Sequence, residues 1–156
     1  PAAHYEHTDA GFNYRLSNVL AAIGRGQLER LPKMMQRRSE ICGRYEDALG
    51  EVPGFDFMPV PEDSQPNRWL TVATVDPSQA GTDREAIRLT LEAQNIEARP
   101  AWKPMHQQPL FADAESVGGV VSDAIFELGI CLPTGSALAD AQVDRVIDVV
   151  LGQVEN

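Results

Sequence analysis

Apolar residues recur along the chain at two spacings, one typical of helices and one typical of strands. Near the C-terminus they fall at i, i+3, i+4, i+7 and i+8, which predicts an amphipathic helix over about residues 139–150. Its apolar positions are Val143, Val146, Ile147, Val150 and Leu151. Residues 68–75 are rich in β-branched side chains and predict a strand. The chain therefore combines helices with short strands.

The first third of the chain predicts two helices separated by a proline. The first spans about residues 17–31 and is capped by Ser17 or Asn18. Its two glycines indicate that another surface packs closely against its small-residue face. Pro32 interrupts this helix and suits the first turn of the next one, which spans about residues 32–49.

Shorter elements follow, each bounded by capping or turn residues. In chain order they are an extended piece at residues 55–58, a helix opened by the capping-box pattern Thr82-x-x-Glu85, a strand at residues 96–99, an irregular loop over residues 100–118, a helix from Ser122 to Gly129 and a strand ended by Pro133. This order predicts a compact α+β fold, in which helices cover a small sheet.

Composition restricts the function more than the fold. The chain has 156 residues, of which 43% are hydrophobic and 23% charged, and its formal net charge is −10 at pH 7. This length suffices for one domain with a hydrophobic core. The negative charge argues against a nucleic-acid-binding module and against docking on an anionic membrane, because both need a basic surface. An anionic ligand must then be held by a few local arginines.

The two cysteines, Cys42 and Cys131, lie far apart and outside any CxxC pattern. This favours two buried small side chains over a disulfide or a metal pair, and it fits a reducing, cytoplasmic setting. No stretch is long and apolar enough to predict a transmembrane helix. The first residues, PAAHYEHTDAGF, lack the features of a signal peptide. Because there is no initiator Met, we expect a fragment or a processed product.

The segment GFNYRLSN places an amide and an arginine just before a predicted helix. A helix N-terminus favours anions through its free N–H groups and its dipole. Arg15 can add a forked contact to a phosphate or carboxylate, and Asn13 can add hydrogen bonds. One interpretation is an anion site. The other, which composition alone favours, is a helix entry in which Phe12 and Tyr14 insert into the core while Arg15 pairs with a surface acid.

The pentapeptide WKPMH, which begins at Trp102, is a second candidate. Arg99 and Lys103 can hold a diphosphate, and Trp102 can stack on a flat ring. His106 can hydrogen-bond a sugar hydroxyl or act as an acid or base near neutral pH. The alternative is a surface loop pinned by Trp102 and Met105 in the core.

Two further motifs are weaker. HYEH, residues 4–7, could bind a metal only with a third ligand, and an ordinary chain terminus is favoured. The polar turn in CLPTGSAL could touch a ligand through backbone N–H groups, but a plain helix entry is favoured. We therefore assign no metal site.

Four segments in this order resemble the DegT/DnrJ/EryC1/StrS family of pyridoxal-phosphate-dependent sugar aminotransferases. They are GFNYRLSNVLAAIGRGQL, RRSEICGRYEDAL, ARPAWKPMHQQPLF and FELGICLPTGSAL. The resemblance covers essentially the whole chain. WKPMH together with CLPTGS is most similar to the branch that acts on UDP-linked 4-keto-6-deoxy amino sugars, as in bacillosamine or exopolysaccharide pathways.

The resemblance implies the C-terminal part of an enzyme of the aspartate aminotransferase fold (fold type I). Residues 1–31 would be the tail of the large cofactor-binding domain. Residues 32–156 would be the small domain, in which helices flank a small antiparallel sheet. Such enzymes are homodimers, with the active site at the subunit interface. They move an amino group from glutamate to a nucleotide-linked keto sugar.

The resemblance also assigns site residues. Asn13 and Arg15 would reach the pyridoxal phosphate of the partner subunit and contact its phosphate. The residues that would lie near the nucleotide-sugar are Trp102, Lys103, Met105 and His106.

The family's Schiff-base lysine lies upstream of the GFNYR segment. The only lysines here, Lys33 and Lys103, do not match it, so this chain would contain no catalytic residue and would be inactive alone. The alternative is a catalytically dead protein of the same ancestry that binds a nucleotide-sugar or a partner, with a regulatory or structural role.

Overall fold

A computed structural model describes residues 4–154 of the chain. The helices are α1 (Asn18–Leu49), α2 (Pro77–Ala80), α3 (Arg84–Ala93), α4 (Val120–Leu128) and α5 (Asp140–Leu151), and the strands are β1 (Phe55–Phe57), β2 (Thr71–Val75), β3 (Arg99–Pro100) and β4 (Gly129–Leu132). The loop between β3 and α4 contains two single 3₁₀ turns, Met105–Gln107 and Pro109–Phe111. The sequence pattern missed the short α2, and the strand predicted at residues 96–99 shares only Arg99 with β3.

The strands form one antiparallel sheet in the order β1-β2-β4-β3. The register pairs Phe55 with Val75, Thr71 with Leu132, and Arg99 with Cys131. Alternate residues of β2 are buried, as expected for a strand with one face on the core. Helix α5 places its predicted apolar positions against the same core. The predicted α+β fold, a small antiparallel sheet flanked by helices, is confirmed.

Helix α1 is continuous from Asn18 to Leu49, so the predicted division into two helices at Pro32 is wrong. Ser17 caps it as predicted, because its Oγ accepts a hydrogen bond from the N–H of Leu20 at 3.3 Å. Pro32 removes one backbone donor. Residues 22–33 are all exposed, so water can bond to the carbonyl that this donor leaves free.

The two halves of α1 have different surroundings. Residues of the C-terminal half enter the core; they are Ile41, Cys42, Tyr45 and Leu49. In the N-terminal half, Val19 and Ile23 are 70% and 56% exposed. A Cβ built on Gly24 or Gly26 would meet no atom within 4 Å. Within the described part of the chain nothing packs on this glycine face, and the close packing stays a prediction.

Two predicted helix starts are wrong by one to three residues. Helix α3 is capped by Asp83, whose Oδ1 accepts from the N–H groups of Glu85 and Ala86 at 2.9 and 2.8 Å. The predicted capping box at Thr82 does not form, because the neighbouring carboxylate takes both N–H groups. Helix α4 begins after Gly119, whose φ of 116° strongly favours glycine. Ser122 therefore lies inside its first turn.

Ion pairs join α1 to α5. Arg37 Nη2 lies 2.7 Å from Asp140 Oδ1 and donates to the carbonyl of Leu138 at 2.7 Å. Arg44 pairs with Asp144 and lies 3.5 Å from Asp140 Oδ2. The hydrogen bond and charge of Arg37, followed by the charge of Arg44, lower the pKa of Asp140.

Replacing Asp140 by asparagine is expected to reduce the acid sensitivity of the fold. The pKa of Asp140 lies below its ordinary value of 3.8 in the folded chain. The contribution of its carboxylate to the stability of the fold is therefore complete above pH 3.8. The contribution is lost as the pH falls through the lowered value. The parent should therefore have a slightly higher urea midpoint than the variant at neutral pH, since exposed ion pairs contribute little. This difference should vanish in acid.

Asp148→Asn is the matched control, because Asp148 lies exposed on the same helix and forms no ion pair with the described residues. The prediction would be contradicted if the difference in urea midpoint between the parent and Asp140→Asn stayed constant from neutral pH into acid.

Candidate functional site

The loop that carries WKPMH is held against the N-terminal segment by Gln108. Its Oε1 accepts from the N–H of His7 at 2.9 Å, and its Nε2 donates to the carbonyls of Tyr5 and Lys103 at 3.3 and 3.2 Å. The N–H of Leu110 adds a bond to the carbonyl of His7 at 3.1 Å. Gln108 is only 2% exposed. Hydrogen bonds shielded from water in this way fix the path of the loop.

Two cations predicted to hold an anion are paired within the chain. Lys103 Nζ lies 3.0 Å from Glu6 Oε1, and this hydrogen bond lowers the pKa of Glu6. Arg99 lies 2.6 Å from Glu97 and donates to the hydroxyl of Tyr5 at 2.8 Å. A diphosphate at these residues would have to displace or share the carboxylates, and surface ion pairs of this kind are weak enough to exchange.

Trp102 and Met105 lie at the surface, so the alternative in which they pin the loop in the core is wrong. Trp102 is 47% exposed and Met105 is 56% exposed. The indole of Trp102 lies beside that of Trp69, with ring centroids 5.6 Å apart and planes inclined by 34°. Gln108, rather than an apolar anchor, determines the position of the loop.

His106 ties the loop to the start of α4. Its Nε2 lies 2.6 Å from Asp123 Oδ1, which also accepts from Gln107 Nε2 at 2.6 Å. A Cβ on Gly119 would stand 3.0 Å from the ring carbon Cε1 of His106, so glycine permits the close approach. When the neutral ring donates through Nε2 to the carboxylate, Nδ1 is left as the acceptor.

Three residues of the pentapeptide line cavities; Trp102 lines one cavity, and Met105 and His106 line another. One, of about 440 Å³, lies between the loop, the sheet and α5, and its walls include Tyr5, Leu70, Trp102, Leu132, Leu138 and Arg145. The other, of about 370 Å³, is lined in part by Met105, His106 and Phe111. Both volumes fall in the range of small-molecule sites. The loop therefore offers ligand-sized concave surfaces on both sides.

Asn13 and Arg15 form an exposed turn just before α1. Asn13 Oδ1 accepts from the N–H of Arg15 at 2.8 Å, and Arg15 has a φ of 64°. Phe12 and Tyr14 are 83% and 90% exposed, so the alternative in which they insert into the core is wrong. Among residues 4–154, Arg15 forms no ion pair, which leaves its guanidinium available to an anion.

The structure does not bring this turn to the WKPMH loop. Within the described residues, no hydrogen bond, ion pair or ring contact joins Asn13 or Arg15 to Trp102, Lys103, Met105 or His106. The two predicted groups of site residues are therefore separate features of this chain.

The two weaker motifs have structural roles. His4 packs edge-on against Phe126, with ring centroids 5.5 Å apart, and no group of three or more metal-ligating side chains occurs among the described residues. In the CLPTGSAL turn, Thr134 is buried, and its Oγ1 accepts from the N–H of Thr71 at 2.9 Å. The favoured interpretation of this turn as a helix entry agrees with this contact.

The cysteines behave as predicted. Cys42 and Cys131 are both free and buried. Burial raises the pKa of the Cys131 thiol to about 11. Across residues 4–154, no helix has the length and apolar character needed to cross a membrane.

Sequence reasoning missed Gln108 and Trp69. Gln108 is the second of two adjacent glutamines, and no local pattern shows which of them is buried. Trp69 stands just before a strand, where an aromatic residue is ordinary. Only the fold shows that it lies beside Trp102.

Comparisons with known proteins identify relatives over nearly the full length of the chain. The model of the DegT/DnrJ/EryC1/StrS aminotransferase family matches residues 1–151. EpsN of Bacillus subtilis (strain 168), which is named as a provisional pyridoxal phosphate-dependent aminotransferase, is 46% identical over 156 residues; the match covers 97% of this chain and 39% of EpsN. GDP-perosamine synthase of Caulobacter vibrioides is 32% identical, with 94% of this chain and 40% of the synthase covered.

Solved structures agree with these matches. DesV of S. venezuelae, determined in complex with a ketimine intermediate, superposes with a TM-score of 0.79 at 27% identity; this covers 97% of the present chain and 40% of DesV. The present chain thus spans about two fifths of the length of the relatives it matches.

Proposed function

The chain belongs to the DegT/DnrJ/EryC1/StrS aminotransferase family, and on that premise we propose that it is the C-terminal part of a pyridoxal-phosphate-dependent sugar aminotransferase. The complete enzyme moves an amino group from glutamate to the keto carbon of a UDP-linked 4-keto-6-deoxy sugar. The product serves cell-surface polysaccharide or glycan biosynthesis, and the enzyme acts as a cytoplasmic homodimer.

The WKPMH loop is the observation that carries this proposal. Trp102 stays half exposed on the wall of a ligand-sized cavity, while Met105 and His106 line a second one. Buried hydrogen bonds of Gln108 hold the loop in place. Large side chains kept at the surface on a rigidly held loop are typical of ligand binding rather than of simple chain reversal. The nucleotide-sugar is proposed to bind there, to Trp102, Lys103, Met105 and His106.

Asn13 and Arg15 fit the phosphate of the cofactor. They lie on an exposed turn at the N-terminus of α1, and Arg15 forms no ion pair with residues 4–154. Free helix N–H groups and a forked guanidinium both favour a phosphate. The turn makes no polar or ring contact with the WKPMH loop, which is consistent with its serving the partner subunit's site. Pyridoxal phosphate, when bound, supplies an electron sink for amino transfer.

The lysine that attaches the cofactor is proposed to lie in a part of the enzyme beyond these residues. Lys33 is exposed on α1, and Lys103 is paired with Glu6. Residues 1–31 then complete the large domain, residues 32–156 form the small domain, and α1 runs across the boundary. The 156-residue chain alone is expected to be inactive.

Borohydride reduction of the full-length protein, followed by intact-mass measurement, tests this proposal. We expect one pyridoxyl-phosphate adduct on a lysine outside the present chain. Prior treatment with glutamate should prevent the adduct, and a UDP-linked 4-keto-6-deoxy sugar should restore it. Arg15→Ala should weaken cofactor retention, whereas Arg25→Ala, an exposed arginine further along α1, should not. A full-length protein that gives no adduct would overturn the aminotransferase assignment and favour the catalytically dead binding protein.

A further inference from the structure

Trp69 and Trp102 are the only tryptophans of the chain, and they lie side by side at its surface. Their ring centroids are 5.6 Å apart, and they are 60% and 47% exposed. A tryptophan enclosed in a core or interface buries roughly 150–250 Å². The structure thus leaves two large aromatic faces partly in water, and the cavity that Trp102 lines also has Leu70, the neighbour of Trp69, in its wall.

We propose that Trp69 joins Trp102 in an aromatic platform on which the base of the nucleotide-sugar stacks. This inference rests on the proposed function, because it assigns a second ring contact within the same substrate site. It adds Trp69, which lies 33 positions before Trp102 in the sequence. Trp69 is in the connection between β1 and β2, whereas Trp102 follows β3.

The backbone around Trp69 is held firmly enough to present its indole in one place. The N–H of Trp69 donates to Asn67 Oδ1 at 3.0 Å, and Arg68 adopts a positive φ of 47°. The guanidinium of Arg68 lies 3.5 Å from Glu46 on α1. Two residues later, Thr71 is buried at the start of β2. The indole therefore extends from a turn that is fixed on both sides.

Trp102 is positioned by hydrogen bonds of the residues on either side of it in the loop after β3. The N–H of the preceding residue, Ala101, donates to the carbonyl of Gly129 at 2.9 Å. Gln108 fixes the remainder of the loop through the carbonyl of Lys103. Both indoles thus come from backbone that is bonded to the sheet or to a buried side chain.

The separation of the rings determines where a ligand can stack. A flat ring inserted between two others needs about 7 Å, twice a contact distance of about 3.5 Å. The two indoles are closer than this. The base therefore lies on the open faces of the platform rather than between the rings.

The charges beside the platform suit a nucleoside diphosphate. Each tryptophan is next to a cation in the sequence, Arg68 before Trp69 and Lys103 after Trp102. Their partners, Glu46 and Glu6, lie 3.5 and 3.0 Å away. Such surface pairs are weak enough to exchange for a phosphate. Two exchangeable cations are thus adjacent in sequence to the two indoles, and the proposal assigns them to the phosphates of a nucleotide whose base stacks there.

Titration calorimetry on the full-length protein tests the platform. UDP, GDP and dTDP are each titrated, and the variants are compared using the one that binds tightest. Trp69→Ala should raise its Kd about 10- to 100-fold, the range for loss of one base–aromatic stack. Trp69→Phe should stay within about fivefold, because a smaller ring still stacks. Trp102→Ala should repeat the loss, and inorganic pyrophosphate, which has no base, should bind all variants alike.

The matched control is Leu89→Ala, which removes an exposed apolar side chain from α3. It should bind the nucleotide like the parent protein. An unchanged nucleotide Kd in Trp69→Ala, or the absence of nucleoside diphosphate binding to the parent, would overturn the inference.

The borohydride adduct and its loss with glutamate are measured on the same variants. An adduct with normal glutamate response, together with an unchanged Kd in Trp69→Ala, would reject the platform alone. A nucleotide affinity that depends on Trp69 in a protein with no adduct would support the platform and reject the aminotransferase function.

Discussion

Replacing Gly129 by alanine is expected to lower the free energy of unfolding by about 3 kcal/mol, near the upper end of the cost of overpacking. The added Cβ would overlap the carbonyl oxygen of Ile125 and would stand 2.8 Å from the Cβ of Ala101. The first of these contacts is with backbone, so no side-chain rotation relieves it. Gly129 has a φ of −84°, which any residue adopts, so the cost is purely steric. Urea denaturation of parent and variant measures it.

Gly129→Ala should also weaken nucleotide binding by the full-length protein. The carbonyl of Gly129 accepts the N–H of Ala101, which directly precedes Trp102, so a shift of this strand moves the proposed platform. Gly135→Ala is the control, because its Cβ would meet only Leu138 Cγ, at 4.0 Å. A loss of stability below about 1 kcal/mol in Gly129→Ala would show that the strand relaxes more easily than packed cores usually do.

Replacing Gln108 by methionine is expected to cost about 3 kcal/mol of stability and to release the N-terminal segment. The change keeps the size of the side chain but removes its hydrogen bonds to His7, Tyr5 and Lys103. Each polar group left unpaired in a buried position costs about 1–3 kcal/mol. Urea denaturation measures the loss of stability, and hydrogen exchange at the amides of His7 and Leu110 reports the release directly.

Gln107→Met is the control for this substitution. Gln107 is the adjacent glutamine, but it is exposed, and among residues 4–154 its side chain bonds only to Asp123. Its loss should cost about 0.5 kcal/mol or less, as for other surface changes. If the amide of His7 exchanged at the same rate in both variants, Gln108 would not be the residue that fastens the segment.

The sequence predicted those elements whose signal is local. Helix α5 has a regular apolar spacing over three turns, and β2 has a run of β-branched residues, so both were found within a few residues of their ends. The cap of α1 at Ser17 is also local, because its hydrogen bond spans only three residues. Patterns of this kind need no knowledge of the rest of the chain.

The parts that could not be predicted depend on contacts between distant residues. The bond from His7 to Gln108 joins positions 101 apart, and the pairing of Trp69 with Trp102 depends on how the strands are ordered. The presence of Pro32 predicted a break between two helices. The folded chain keeps one helix, because the carbonyl that lacks a proline N–H partner is exposed and can bond to water. The cap of α3 shows a smaller failure, in which a carboxylate beside the expected threonine takes its role.

The continuity of α1 has a mechanical consequence. Its 32 residues form a rod about 48 Å long, at about 1.5 Å per residue. Only the C-terminal half is fixed in the core, so the other half acts as a lever arm of about 24 Å. A change of about 5° in its direction at Pro32, where helices bend most readily, would swing Arg15 by about 2 Å. That displacement separates a hydrogen-bonded phosphate from an unbound one. The packing of Tyr45 and Leu49 fixes the C-terminal half of α1. The position of the Arg15 guanidinium therefore depends on that packing as much as on the turn that carries Arg15.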